Sequence, residues 1–108
     1  MMEQDVSSRI MHEFKQNQNL LLAIGNETRQ AILITLAQRA QNLGMRVGEI
    51  GKYTHLSRPA ISHHLKILKD AGLVSMNREG TKNYYLLDAK TKVEGLQTLI
   101  NQFLSLCK

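Results

Sequence analysis

Cysteine is almost absent from this 108-residue chain, since Cys107 carries its one thiol. An internal disulfide is thereby excluded, and a lone thiol suits a reducing compartment. Near the C-terminus it reads as incidental, with a Cys107–Cys107 bridge between two copies as the redox alternative. Long apolar runs are missing too. The longest, Leu20 to Ile24, is far short of the roughly 20 residues a membrane helix needs. The start, Met-Met-Glu-Gln-Asp-Val, has neither the basic opening nor the apolar stretch of a secretory signal, so a cytoplasmic protein is expected. Aromatics amount to three Tyr and two Phe, too few for the stacking platforms with which proteins hold single-stranded RNA. No glycine-rich phosphate loop, nucleophile elbow or paired-carboxylate site is present, so an enzyme is not expected. Repeats, low-complexity tracts and linkers are also lacking. Residues 1–108 are read as a single domain.

What the chain does have is positive charge, +5 in all with a pI near 9.6. It is concentrated between Ser57 and Lys82, where five basic residues face two acidic ones. Such a balance suits a polyanionic partner.

The hydrophobic spacing gives four helices, a hairpin and a fifth helix. The first five residues are read as a frayed start. Val6, Ile10 and Phe14 recur at helical spacing and predict a first helix from about Ser7 to Gln18. The run Leu20 to Ile24 leads to a break at Gly25-Asn26. Asn26 caps a second helix, with Ile32, Leu33, Leu36, Ala37 and Ala40 as its inward stripe. A short third helix covers Val47 to Thr54 and offers Val47 and Ile50 to the core. His55-Leu56 turns the chain into a fourth helix, capped by Ser57, with Pro59 in its first turn and Gly72 as a left-handed stop. Beyond Gly72 the period becomes 2: Leu73 to Asn77 and Asn83 to Leu87 read as strands, with Arg78 to Lys82 as the turn. The last helix runs from about Ala89 to Leu106.

The fourth helix carries the question of function. Ile61, Leu65 and Leu68 form its inward face, while Pro59, Ser62, His63, Lys66, Lys69 and Asp70 point outward. His63 and His64 are neighbours, so their side chains diverge by about 100° and do not suit one metal ion, which wants ligands three or four residues apart. No carboxylate at useful spacing orients a Ser62–His63 pair for proton transfer. A plain solvated basic face and a groove-reading face remain. The second is favoured by the helix-turn-helix arrangement and by short or planar polar groups in the N-terminal half, which can approach base edges.

These stretches resemble the ArsR/SmtB winged helix-turn-helix regulators of bacteria. The resemblance covers about Leu22 to Asp88 and runs through A-I-G-N-E-T-R-Q-A-I-L, V-G-E-I, L-S-R-P-A-I-S-H-H-L-K-I-L-K-D-A-G-L-V and R-E-G-T-K-N-Y-Y-L-L. It implies a mainly α fold with a β-hairpin wing, in the order α-α-α-α-β-β-α, and a homodimeric DNA-binding repressor released by an effector, here a small molecule of unknown identity. It assigns Ser57, Arg58, Pro59, Ser62 and His63 to the base-facing part of a recognition helix. Arg58 and His63 would meet base edges or nearby phosphates, and Pro59 a thymine methyl or merely helix initiation. Lys66 and Lys69 would neutralise phosphates, and His64 would pack at the helix border. Arg78 and Lys82 would flank a wing tip that reaches an adjacent groove or stays solvated. A winged helix that only binds another protein is the alternative.

Relatives that sense metals carry cysteines where this chain has Arg46 and Gly48, and others use histidines and carboxylates on the last helix, which here has no histidine. No metal or other cofactor is therefore expected. His55 stands where the turn often has glycine, a position histidine tolerates. The first and last helices carry apolar residues on more than one face, and the resemblance makes them the dimer interface, through Val6, Ile10, Phe14, Val93, Leu96, Ile100 and Phe103.

Overall fold

A computed structural model describes residues 2–108, with side chains from Asp5 onward. The chain order is α1 (Met2–Gln16), α2 (Gln18–Ile24), α3 (Glu27–Arg39), α4 (Val47–Thr54), α5 (Arg58–Asp70), β1 (Val74–Glu79), β2 (Lys82–Leu87) and α6 (Lys90–Leu104). The fold is mainly helical with one hairpin, in the expected order. The Leu20 to Ile24 run, assigned no element from sequence, forms a short helix of its own. Asn17 separates α1 from α2: its backbone leaves the helical region (φ −96°, ψ 6°), and its side-chain amide donates to the Glu13 carbonyl at 2.8 Å. α1 starts at Met2, ahead of the expected Ser7, and the expected fraying falls partly on Met1, outside the described residues.

The core lies where α3, α4 and α5 meet. Ile32, Leu36, Ile50, Ile61, Leu65, Leu68 and Leu73 are fully buried there. In α3 the inward stripe differs from expectation at one position. Ala37 is exposed, and Thr35 is buried instead, its hydroxyl donating to the Ala31 carbonyl at 2.8 Å. That bond satisfies the only polar group Thr35 brings inside, so its methyl can pack as an apolar group would.

The α5 terminus is set by a reciprocal carbonyl pattern. Gly72 (φ 78°) donates its N–H to the Lys69 carbonyl, and the Leu73 N–H reaches the Leu68 carbonyl, both at 3.0 Å. This is a Schellman stop, and it folds the buried Leu73 back against the helix it follows. The chain then enters the hairpin, whose register pairs Val74 with Leu87 and Glu79 with Lys82. The strands are longer than expected. The five-residue turn shrinks to Gly80-Thr81, and Gly80 (φ 62°) supplies the positive φ that the first position of a type II′ turn needs. Met45 adds a third edge, exchanging backbone hydrogen bonds with Tyr85 at 2.8 Å each way. Gly44 permits this approach: a Cβ there would sit 2.4 Å from the Tyr85 carbonyl oxygen, and φ is 106°.

α6 packs mainly on α1, with Phe14 and Phe103 edge to face at 5.8 Å. Among the described side chains of this pair of 15-residue helices, Ile10 and Leu99 are the ones buried. Val6, Met11, Val93, Ile100, Phe103 and Leu104 remain exposed. The molecule is elongated, 55 × 25 × 21 Å, with a radius of gyration of 16.6 Å. A compact domain of this length would have about 13 Å.

Candidate nucleic-acid interface

α4 and α5 form the helix-turn-helix. α4 ends at His55, which adopts the left-handed conformation (φ 58°, ψ 26°) and closes the last turn with its N–H on the Gly51 carbonyl at 2.9 Å. At the other end of α4, the Glu49 carboxylate accepts from the Arg46 N–H at 3.1 Å and stands in the helix's first turn, where a negative charge is favoured. After the turn, Ser57 Oγ accepts from the Ala60 N–H at 3.3 Å and starts α5. Pro59 lies in the first turn, where its missing N–H leaves no bond unmade.

With Ile61, Leu65 and Leu68 buried, the opposite face of α5 is presented to solvent. Ser57, Arg58, Pro59, Ser62, His63, Lys66 and Lys69 are all exposed on it. Lys66 pairs with Asp70 at 3.1 Å, one turn further on, but both side chains are largely exposed. Such a pair contributes little stability and leaves the lysine free to exchange its partner.

His64 is part-buried and faces inward. Its Nδ1 lies 3.3 Å from the Arg29 guanidinium. Arginine only donates, so Nδ1 accepts in this contact, which favours the neutral ring. Burial, the Arg29 charge and the His63 neighbour lower its pKa from 6.5, in that order of size. Arg29 also donates through Nε to the Ala23 carbonyl (2.8 Å) and through Nη2 to the Leu22 carbonyl (3.1 Å), while Gln30 reaches the Ile24 carbonyl at 2.7 Å. The last three carbonyls of α2, left without partners inside their own helix, are thus held by side chains from the first turn of α3. Arg29 thereby joins α2, α3 and α5 at one point. The motif N-E-T-R contains this residue, but nothing in its local spacing shows the contact, which spans 35 positions.

Arg78 and Lys82 are exposed at the wing tip, in strands rather than in the turn first assigned to them. Arg78 pairs across the ribbon with Asn83, and Lys82 with Glu79, so the two cations stand on opposite faces of the hairpin. The Arg78 Nε donates to the Gly80 carbonyl at 3.1 Å, which holds it against the tip. Between α4, the start of α5 and the wing opens a cleft of about 490 Å³, lined by Arg46, Lys52, Arg58, Ser62, Thr81 and Asn83, with Glu49 at its wall. Four of these, Arg46, Lys52, Thr81 and Asn83, were not picked out from sequence as a site.

Of the residues assigned to a dimer interface, Val6, Val93, Ile100 and Phe103 are exposed, and Phe14 is half-buried against Phe103. Ile10 is buried within the protomer, and Leu96 packs against the core. Helical spacing shows which residues share a face but not which of them the chain covers by itself. Among the described residues, no group of three or more histidine, cysteine or acidic side chains is placed to hold a metal, and no helix is long and apolar enough to cross a membrane.

Residues 26–76 match the family described as bacterial regulatory protein, arsR family. The transcriptional repressor SdpR of Bacillus subtilis is 35% identical over 77% of this chain and 88% of its own length. An uncharacterised helix-turn-helix regulator of Methanocaldococcus jannaschii is 40% identical over 76% of this chain and 90% of its own. The solution structure of a homodimeric winged helix-turn-helix DNA-binding domain, Mb0332 from Mycobacterium bovis, superposes with a TM-score of 0.63. It is 29% identical, and the match covers 84% of this chain and 83% of that one. The helix-turn-helix, the wing and these likenesses agree: the chain is a winged helix-turn-helix transcriptional regulator, not an enzyme, and belongs to the ArsR family.

Proposed function

We propose that this protein is a cytoplasmic repressor that binds an imperfect palindrome in duplex DNA as a homodimer, residues 1–108 acting as one domain. The observation that carries the reading is the outer face of α5. Short polar and cationic side chains stand exposed there along a helix whose opposite face is locked into the core. An α-helix fits the major groove, and its N-terminal residues meet the base edges. Ser57, Ser62 and His63 supply hydrogen-bonding groups for base edges, and Arg58 for a base edge or the adjoining phosphate. Pro59 offers an apolar contact. Lys66 and Lys69 follow along the backbone, and Arg78 and Lys82 reach the two walls of a neighbouring groove. The sign of regulation follows the repressor SdpR, and a small-molecule effector would relieve it.

The dimer rests on the α1–α6 pair. Two helices that, among the described side chains, bury one each and leave a row of large apolar residues in water suit a second copy, as in the homodimeric Mycobacterium bovis domain. Val6, Phe14, Val93, Ile100 and Phe103 would make the contact, supported from beneath by Ile10 and Leu96.

Fluorescence anisotropy tests the reading. The protein is titrated with DNA from upstream of its own gene and with a scrambled duplex. Selective binding is expected, and His63→Ala or Ser62→Ala should weaken it by about 1–3 kcal/mol and relax the sequence preference. Absence of binding to any duplex at physiological salt, with a protein partner recovered instead, would favour an interaction module.

A further inference from the structure

The cleft between α4 and the wing collects charge without neutralising it. Arg46, Lys52 and Arg58 line it, and the one ion pair among the described residues, Lys66–Asp70, lies elsewhere on α5. Glu49 is the sole carboxylate on its wall, and its oxygen is engaged by the Arg46 backbone N–H. Three cations against one carboxylate leave the cleft positive. Ser62, on α5 with Arg58, and Thr81 and Asn83, from the wing, add hydroxyl and amide donors. Gly48 shapes the floor. A Cβ there would lie 2.8 Å from Arg58 Nη2, so the guanidinium rests directly over the α4 backbone because that side chain is absent. Val47 and Gly48 belong to the first turn of α4, where backbone N–H groups have no partner within the helix. Planar guanidinium donors, an ammonium, hydroxyls and free backbone N–H groups together make the chemistry that recognises a phosphate oxyanion.

We infer that this cleft is a phosphate-binding site, with Arg46, Lys52 and Arg58 as its cationic ligands. The inference rests on the DNA-binding reading for one source of the phosphate, a backbone phosphodiester at the edge of the groove that α5 enters. The same chemistry accepts a free phosphate, which would then compete with DNA for the cleft. Arg58 thereby becomes a backbone ligand rather than a reader of bases. Arg46 and Lys52 enter the interface.

Arg46→Ala, Lys52→Ala and the double variant are compared with the wild type by anisotropy, on the upstream duplex and on the scrambled one, across a salt series. Each lost phosphate contact should flatten the slope of log K against log salt by about 0.9, roughly twice that for the pair, equally on both duplexes. His63→Ala should instead change the preference between duplexes and keep the slope. Gly48→Ala removes no charge but forces the Arg58 guanidinium, the movable end of a flexible side chain, out of its place. It should weaken binding to both duplexes several-fold while circular dichroism shows the fold intact. Unchanged slopes in the double variant, with wild-type binding present, overturn the cleft and leave the DNA reading standing. If the wild type binds neither duplex, the DNA reading falls, and titration with inorganic phosphate at constant ionic strength decides. Amide shifts at Gly48 and Arg58 that the double variant loses would establish a free-phosphate site, and their absence would overturn it. With DNA binding intact, competition by inorganic phosphate beyond that of chloride at equal ionic strength would identify the second source, and equality would assign the cleft to the DNA backbone alone.

Discussion

Arg29 and His64 stand far apart in the chain, yet one hydrogen bond joins them, and its direction favours the neutral imidazole. Burial comes first among the causes that hold its pKa below 6.5, followed by the charges of Arg29 and His63. Well above 6.5 the ring is neutral in both folded and unfolded chains, so the contact is unaffected. As the pH falls from 6.5 toward the lower folded value, the unfolded chain takes up the proton first and stability is lost. Urea unfolding at pH 7.5 and 5.5 should therefore show a drop toward acid. His64→Asn, whose amide oxygen can stand where Nδ1 does and accept from Arg29, should show a smaller one. An equal drop in both would remove His64 as the cause. Gly44→Ala imposes a left-handed conformation, costing about 1–3 kcal/mol, and adds a clash with the Tyr85 backbone, so the denaturation midpoint should fall markedly. Neither feature was legible in advance. A capping asparagine is visible in a sequence because its partner lies three residues away, whereas the partners of Arg29 and Gly44 arrive through tertiary folding.

The elements divide by how local their causes are. α5 was readable from Ser57 to Gly72 because both ends are set by short-range bonds, a serine cap and a Schellman stop, and its apolar stripe is unbroken. Ser57→Ala should cost about 1 kcal/mol of stability, measured by urea unfolding, since the Ala60 N–H then loses its acceptor. The α1–α2 junction was less legible. A one-residue interruption at Asn17 breaks the helix without a glycine or proline to announce it, and the seven residues of α2 are too few to show a period. The wing strands were placed correctly but too short, because Arg78, Glu79 and Lys82 look like turn residues while their backbones continue the ladder. The outward face of α5 followed directly from its period. The cleft beside it did not, since its cations come from the approach to α4, α4 itself and α5, with the wing closing the other side.

On the scale of the whole molecule, the elongated shape and the thinly packed α1–α6 pair belong together. A chain that leaves Ile100 and Phe103 about half exposed, at 52% and 48%, keeps surface that a second copy would remove from water. Ile100→Glu with Phe103→Glu should shift the protein from dimer to monomer in sedimentation velocity. It should also lower affinity for a two-half-site duplex far more than for one half-site. A wild type that sediments as a monomer at micromolar concentration would exclude this interface. If two copies present α5 to one face of duplex DNA, hydroxyl-radical footprinting on DNA from upstream of the gene will show it. Two-fold symmetry predicts paired protected patches about one helical turn, roughly 34 Å, apart, and their joint loss when His63 and Lys66 are replaced by alanine. A single patch, or protection that survives those replacements, would rule out a dimer that reads DNA through α5.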